Sequence, residues 1–285
     1  MTDTAPSEPL SPGRAATGRR AGPLLAVLVV AVCLAAGQLL ARVVLRFSGV
    51  DGDSLAGLGL FNVVAFAPTA ALLVTWVVYG ERRPFASLGL RGGDRYRKIA
   101  VGVGTALVGL VALNVALSAL GSDTGASGEG SGPSVTAWQM ALLLLTFAVQ
   151  APTEELLFRG YLLPALRERW GVAAGVLLSS ALFAAAHMAN QGATAAYALL
   201  TFLLGVALAL WTLADGNLWR ACAFHTVWNW APAVLSSGDG DGDNGAQDAA
   251  ALDGGTLTPA ALVLALIGLS ALWAYRRGVV RVSAR

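Results

Sequence analysis

Long apolar runs recur along the chain and are separated by short polar stretches. A helix needs about 20 apolar residues to cross the hydrocarbon core of a bilayer, and each run has roughly that length. The pattern predicts spans near 22–45, 57–79, 99–120, 137–158, 171–189, 193–213, 217–235 and 257–275. We therefore expect an all-α polytopic membrane protein, a bundle of about eight transmembrane helices that forms a single domain over residues 21–280.

Two regions are less apolar than the rest of this pattern, namely the N-terminal residues 1–20 and the seventh run. Residues 1–20 are rich in Pro, Ser, Thr and Gly, which predicts a disordered cytoplasmic tail. The apolar run after the tail is longer than the core of a signal peptide, so we expect it to remain as a membrane span. The seventh run is the least apolar, because it contains Arg220, His225 and Asn229.

Charged residues alternate in sign between successive loops. Basic residues lie in the 80–98 loop, the 159–170 segment and the C-terminus. The other loops contain Asp or Glu and no Lys or Arg: 48–56, 121–136 and 236–256. Because basic loops stay in the cytoplasm, eight spans place both termini on the cytoplasmic side. Arg42 and Arg46, at the outer end of the first run, are exceptions to this pattern.

Composition agrees with a membrane location. Of the 285 residues, 56% are hydrophobic and 13% are charged, whereas soluble domains carry about 25% charged residues. The formal net charge of +2 gives no basis for nucleic-acid binding. Cys33 and Cys222 lie in apolar runs, where we expect neither a disulfide nor a metal site. We expect an integral, multi-pass protein of a bacterial plasma membrane, surrounded by the lipid bilayer.

Three charges, Glu154, Glu155 and Arg159, lie together in one of the most apolar parts of the chain. A charge at the bilayer centre costs at least about 2.5–3.5 kcal/mol on insertion scales, so this cluster needs an explanation. On a helix, Glu155 and Arg159 are four residues apart in the order that favours an ion pair. Glu154 points about 100° away and remains available as a general base. The alternative is a buried charge network that only holds helices together.

The two histidines also lie in apolar runs. His187 follows three alanines, which would let backbone or a ligand approach closely, although a lone histidine is often a satisfied core residue. His225 and Asn229 are four residues apart and share one helix face. An imidazole and an amide directed at one point can stabilise an oxyanion, or they can simply join helices through polar contacts.

Together these side chains contain the parts of a hydrolytic site. In the fourth to seventh runs, the residues suited to acid–base chemistry are mainly Glu154, Glu155, His187 and His225. They supply a carboxylate, an imidazole partner and, with Asn229, a pair of hydrogen-bond donors. No serine or cysteine stands in an obvious nucleophile motif. The combination therefore favours direct attack by water.

The ordered motifs EExxxR, FxxxH and HxxxN each lie within an apolar run. In this order they resemble the CAAX protease and bacteriocin-processing family of intramembrane proteases, which includes the type II CAAX prenyl endopeptidase. The resemblance covers the catalytic motif region 137–235, and Gly160 after the arginine also fits it. It implies an endopeptidase that acts on a membrane-embedded or lipidated peptide or protein, in CAAX-type or bacteriocin- and immunity-related processing.

The resemblance also implies a role for each motif residue. It assigns activation of the hydrolytic water to Glu154 and His187. It assigns the oxyanion hole to His225 and Asn229. Supporting roles fall to Glu155, Arg159 and Phe183.

Metal use is an open alternative. The family was long labelled as metalloproteases, whereas its favoured mechanism is glutamate-dependent and metal-free. If zinc is present, its ligands would be Glu154, His187 and His225, which are zinc-type donors. We expect no cofactor, because a zinc site usually leaves a separate general base and Asn229 is a poor zinc ligand.

The catalytic hypothesis makes a demand on the fourth helix. If that helix ends near Arg159, Glu154 lies near the cytoplasmic face while His187 lies about 24 Å deep, so the two cannot meet. If the helix continues to about residue 166, Glu154 lies about 18 Å deep. We therefore predict a long, tilted fourth helix. A bend is expected at one of two prolines, Pro152 or Pro164.

Two other functions fit the same residues. One is a non-catalytic membrane scaffold or immunity-type protein that keeps the motifs for stability. The other is a proton-coupled transporter that uses Glu154 and Glu155 as a relay. A transporter predicts repeats between the two halves of the chain, but the glutamate pair and both histidines lie in the second half. Hydrolysis is the preferred hypothesis.

Overall fold

The fold is helical throughout the part of the chain that the structure describes. The structure is a computed structural model, and it describes residues 18–52, 54–119, 136–190, 193–236 and 254–283. These ranges contain α-helices, π-helical segments and a 3₁₀ turn, and no strand. The predicted all-α class is confirmed. The tail 1–20 and the acidic loops 121–136 and 236–256 lie almost wholly outside the described residues.

The helices coincide with the predicted spans. Their bounds are α1 Pro23–Ser48, α2 Leu55–Thr75, α3 Arg95–Ala119, α4 Ala137–Glu155, α5 Leu163–His187, α6 Ala195–Asp215, α7 Trp219–Ser236 and α8 Gly254–Ser283. A π segment, Trp76–Gly80, continues α2, and a second one, Leu156–Leu162, joins α4 to α5. A 3₁₀ turn, Phe85–Leu88, lies in the loop before α3.

Capping residues explain where several helices begin and end. The Ser54 hydroxyl accepts a hydrogen bond from a backbone N–H in the first turn of α2, and Thr194 does the same for α6. Thr136 and Gln139 form a reciprocal capping box at the start of α4. Gly216 ends α6 in the left-handed conformation, with φ of 66°.

The helices are long and apolar enough for a membrane protein. Six helical stretches in the described ranges could cross a bilayer by length and composition, and one of them is the continuous 51-residue stretch Ala137–His187. The polar residues of α7 explain why it is not among the six. The polytopic membrane class is confirmed, while the count of eight spans and the cytoplasmic placement of both termini remain predictions.

Gly171 divides the 51-residue stretch into two. Its φ of 84° and ψ of 170° lie outside helical geometry and favour glycine. After this break the chain folds back on itself. Gly175 then packs so closely against Arg167 that a Cβ added to the glycine would lie within 3.0 Å of three Arg167 atoms. The first part of α5 is therefore the end of the fourth predicted span, and the second part is the fifth span.

The fourth helix continues past Arg159, as the catalytic hypothesis requires. It departs from α-geometry in the π segment Leu156–Leu162, where the N–H of Leu163 bonds the carbonyl of Phe158 five residues earlier. This segment lies between Pro152 and Pro164, the two prolines at which a bend is predicted. Such π-helical turns are frequent at functional sites.

The π segment lies at the centre of the bundle, and all seven of its residues are buried. Tyr161 and its apolar neighbours pack against side chains of α1 and α2. The next residue, Leu163, packs instead in a cluster formed mainly by α6, α7 and α8. A close contact between Gly205 of α6 and Ser180 of α5 completes this centre. The motif residues are thereby placed between the two halves of the hydrophobic core.

Candidate active site

The predicted ion pair between Glu155 and Arg159 forms at the start of the π segment. Arg159 Nη1 donates to Glu155 Oε1 at 2.9 Å, and both side chains are fully buried. Arg159 Nη2 also donates to the carbonyl of Gly205 on α6, at 3.2 Å. The guanidinium lies 4.2 Å from the centre of the Phe183 ring. Arg159 therefore ties the π segment to both α5 and α6.

His225 reaches the same ion pair from α7. Its Nδ1 lies 2.9 Å from Glu155 Oε1. Because that oxygen already accepts from Arg159, it is the acceptor here and the Nδ1–H of His225 is the donor. The Nε2 of His225 then points to Glu154, 3.6 Å from Oε2. Glu155 thus fixes the orientation of the imidazole that faces the second carboxylate.

His187 approaches Glu154 from the end of α5. Its Nδ1 lies 2.8 Å from the carbonyl of Phe183, so Nδ1 carries the donated proton. In the neutral imidazole, Nε2 is then a proton acceptor, and it lies 3.9 Å from Glu154 Oε2. His187 is the more accessible imidazole, since 15% of its side chain is exposed.

Glu154 lies between the two imidazoles. Its Oε1 accepts a hydrogen bond from Gln150 Nε2 at 3.3 Å. Its Oε2 is buried and finds no hydrogen-bond partner among the described residues. The 3.6 and 3.9 Å separations to the imidazole nitrogens exceed a direct hydrogen bond and suit groups that share a bridging water. Glu155 is paired with Arg159, as its spacing predicts, while one oxygen of Glu154 accepts no hydrogen bond from the described residues.

Phe183 packs against both imidazoles and the guanidinium. Its ring centre is 4.4 Å from that of His187 and 5.8 Å from that of His225, the latter in an edge-on arrangement. The same ring also contacts the Arg159 guanidinium. The ring therefore contacts all three of these polar groups, and its supporting role stays a prediction.

Asn229 is the candidate residue least constrained by its surroundings. It lies one turn after His225 on α7 and is half-buried. Its amide forms no hydrogen bond with the other side chains that the structure describes. The structure therefore brings Glu154, Glu155, Arg159 and both histidines together, and places Asn229 one helical turn after His225 on α7.

Gln150 was not predicted from the sequence. It lies one helical turn before Glu154, and its Oε1 is buried without a partner among the described residues. The available signal was its spacing, since residues four apart on a helix are neighbours. An amide in an apolar run one turn from the glutamate pair marks it as part of this site.

Glu154 lies farther from each histidine here than the ligand atoms of a bound zinc ion lie from one another. Tetrahedral zinc with bonds of about 2.0–2.1 Å places its ligand atoms about 3.3 Å apart. The distances from Glu154 Oε2 to Nε2 of His187 and of His225 are larger, at 3.9 and 3.6 Å. No group of three or more His, Cys, Asp and Glu side chains in the described ranges is arranged to hold a metal ion.

These features define a class: an integral, multi-pass helical membrane protein whose bundle encloses a carboxylate, two imidazoles and a glutamate–arginine pair. Residues 136–231 match the family model described as type II CAAX prenyl endopeptidase Rce1-like. The matched segment is about a third of the chain and contains every candidate residue from Glu154 to Asn229. The match confirms the resemblance predicted from the motifs and supports an intramembrane protease at the level of the family.

Comparison with curated proteins and with solved structures gave no match.

Proposed function

We propose that the protein is an intramembrane endopeptidase that hydrolyses a peptide bond with water activated by Glu154 and His187. The observation that carries this proposal is the convergence of Glu154 Oε2 with the Nε2 atoms of His187 and His225. A water bound to these atoms would contact Glu154 Oε2, a buried oxygen that accepts no hydrogen bond from any described residue. Expulsion of bulk water from such a site strengthens its electrostatic interactions.

Proton transfer follows from the fixed orientations. Glu154 Oε2 takes one proton from the water, while the Nε2 lone pair of His187 accepts a hydrogen bond from the other. The hydroxide oxygen attacks the scissile carbonyl carbon, and the carbonyl electron pair moves to its oxygen. When the tetrahedral intermediate collapses, the C–N bond breaks and the leaving nitrogen receives the proton from Glu154. The carboxylate is restored, and two chains leave.

His225 and Asn229 form the oxyanion hole in this mechanism. With Nδ1–H committed to Glu155, His225 can donate from Nε2 when it is an imidazolium. In the proposed mechanism the His225 imidazolium and the Arg159 guanidinium together offset the negative charges of Glu154 and Glu155. Asn229 supplies a second donor from the next turn of α7.

The substrate proposed is a peptide or protein that is embedded in the membrane or lipid-modified. The site lies in buried parts of apolar helices, so the scissile bond must reach it within the bundle. CAAX-type processing and bacteriocin- or immunity-related processing are the proposed settings, in a bacterial plasma membrane. No nucleic acid is proposed as a partner.

The test is Glu154→Gln, which keeps the shape of the side chain and removes the base. Membranes with the wild type or the variant are compared for new peptide N-termini by mass spectrometry. The expected result is a set of cleavage products that requires the wild type, with equal amounts of both folded proteins. Asp94→Asn, a carboxylate change outside the site, is the matched control and should retain every product. Unchanged products in Glu154→Gln would favour a non-catalytic scaffold or immunity protein.

A zinc-dependent protease remains the second candidate, on the strength of the donor types at Glu154, His187 and His225. Metal analysis of the purified protein and the effect of chelators on the same cleavage products separate the two mechanisms. Stoichiometric zinc with loss of activity on chelation would favour the metal-dependent form.

A further inference from the structure

Three short segments meet at one end of the bundle. They are residues 18–21 before α1, residues 80–83 after α2, and residues 167–170 before the break at Gly171. Arg20 forms an ion pair with Glu168, which joins the first segment to the third. The N–H of Ala21 donates to Glu81 Oε1 at 2.9 Å, which joins the first segment to the second. The three segments therefore form one continuous surface.

This surface carries an excess of positive charge. We call it the basic patch, and its charged residues are Arg19, Arg20, Arg82, Arg83, Arg167, Arg169, Glu81 and Glu168. The basic patch contains six arginines and two glutamates, and each glutamate is already paired with one arginine. Four positive charges are thus in excess. Four of the arginines are exposed: Arg19, Arg82, Arg167 and Arg169.

Two arginines of the basic patch also have N–H groups without an acceptor. Arg83 is only 7% exposed and donates from Nη1 to Glu81 at 2.6 Å. Its Nη2, and the Nε of Arg20, are buried and find no hydrogen-bond partner among the described residues. A buried donor left unmatched is unfavourable, and a guanidinium presents several donors in a planar fork suited to phosphate.

The depth of the basic patch fits the headgroup region of a bilayer. The span Leu55–Gly80 ends directly before Glu81, and α1 begins at Pro23, two residues after the end of the first segment. Two exposed aromatic side chains adjoin the patch, Tyr79 at 77% and Trp170 at 49% exposure. Tyr and Trp are enriched at membrane–water interfaces.

We propose that the basic patch binds the phosphate headgroup of an anionic phospholipid. Basic pockets between transmembrane helices bind such headgroups. A phosphodiester here would accept hydrogen bonds from the exposed guanidiniums of Arg82, Arg167 and Arg169 and offset the excess charge. It would also hold residues 18–21 against residues 80–83, so that lipid composition affects the stability of this end of the bundle.

The chain contains a matched control on the same end of the bundle. Arg95 and Arg97 are exposed like Arg167 and Arg169, but each of them has a partner side chain within its own segment. Arg97 pairs with Asp94 at 3.4 Å, and Arg95 lies over the ring of Tyr96. General attraction of basic loops to the membrane predicts the same loss for either pair. A specific site predicts different losses.

The experiment uses the full chain purified in a zwitterionic detergent. Native mass spectrometry counts bound phosphatidylglycerol and, in parallel, phosphatidylcholine and inorganic phosphate. Arg167→Gln/Arg169→Gln should bind phosphatidylglycerol about 25-fold more weakly, at about fivefold per arginine. Arg95→Gln/Arg97→Gln should stay within about twofold of the wild type. Arg82→Gln tests a second segment and should weaken binding about fivefold.

Three results would overturn the proposal. The first is an equal loss in the two double variants, which indicates general attraction. The second is equal retention of phosphatidylcholine, which indicates that binding does not depend on the net charge of the lipid. The third is tighter retention of inorganic phosphate than of phosphatidylglycerol, which indicates a site for a free anion. Equal thermal unfolding of all variants without added lipid confirms that the exposed substitutions leave the fold intact.

Discussion

Two buried charge clusters share the π segment, and they differ in how completely their carboxylates are hydrogen-bonded. The first is the Glu81 cluster, formed by Glu81, Arg83, Trp76, Tyr161 and the N–H of Ala21. There Oε1 accepts from Ala21, Trp76 and Tyr161, at 2.9, 3.3 and 2.8 Å, and Oε2 accepts from Arg83. Both oxygens are satisfied, as is usual for a buried polar network that stabilises a fold.

The second cluster is the candidate active site, where two carboxylate oxygens lack a hydrogen-bond donor among the described residues. Glu154 Oε2 and Glu155 Oε2 are buried and accept no hydrogen bond from the described residues. Each such group costs about 1–3 kcal/mol, so an arrangement that retains them needs a reason other than stability. The comparison teaches that burial of charge alone does not mark a catalytic group. An unsatisfied acceptor that faces two imidazoles supports the catalytic role proposed for Glu154.

The largest expected effect is a loss of cleavage activity when a residue of the candidate active site is changed. His187→Gln removes the imidazole that faces Glu154, and general acid–base groups contribute about 10²–10⁴-fold to rate. We expect turnover to fall by that factor with little change in thermal stability, because His187 makes one hydrogen bond and is partly exposed. The readout is the cleavage products that distinguish the wild type from Glu154→Gln. Met188→Gln, the next residue and 44% exposed, should remain active.

The next effect concerns the pair that supports the site. Arg159→Leu leaves Glu155 buried without its guanidinium, and breaking such a pair costs about 3–5 kcal/mol. The double variant Glu155→Leu/Arg159→Leu should be less destabilised, because it removes both charges. Thermal unfolding in detergent measures both. Glu168→Gln, which breaks the exposed pair with Arg20, should cost less than about 1 kcal/mol. Equal losses for Arg159→Leu and Glu168→Gln would contradict this prediction.

Local pattern predicted most of the fold and the inner part of the site. Apolar run lengths located the helices, because the bilayer fixes the length of a span. The spacing of Glu155 and Arg159 predicted their ion pair, because helical geometry alone determines it. The need for Glu154 and His187 to meet predicted that the fourth helix continues past Arg159. Each of these inferences uses short-range geometry.

Contacts between distant segments could not be predicted in the same way. The Glu81 cluster joins Ala21, Trp76 and Tyr161, which come from well-separated parts of the chain. The π segment has no distinguishing local sequence, and it forms where packing against several helices decides the turn. The bond from His225 to Glu155 likewise depends on how α7 packs against α4. Such features follow from tertiary packing, which a single sequence does not determine.

A smaller effect tests the link between the clusters. Tyr161 lies two residues after Arg159, and its hydroxyl accepts from Trp76 at 2.8 Å while donating to Glu81. Tyr161→Phe removes this hydroxyl from a fully buried position and should destabilise the protein by about 1–3 kcal/mol. Tyr79→Phe, at 77% exposure, should have no measurable effect. A loss of activity in Tyr161→Phe larger than its loss of stability would show that the Glu81 cluster also positions the active site.

The smallest effect is a pH dependence of stability that belongs to the Glu81 cluster. Burial alone would raise the pKa of Glu81, but hydrogen bonds from Arg83, Tyr161 and Ala21 outweigh it and lower the pKa. Because the folded pKa lies below the unfolded value of about 4.3, the contribution is fully present above that value. It is lost as the pH falls through the folded pKa. The melting temperature of the wild type should therefore approach that of Glu81→Gln in acid, and a constant difference between the two from about pH 6 to about pH 3 would refute this assignment.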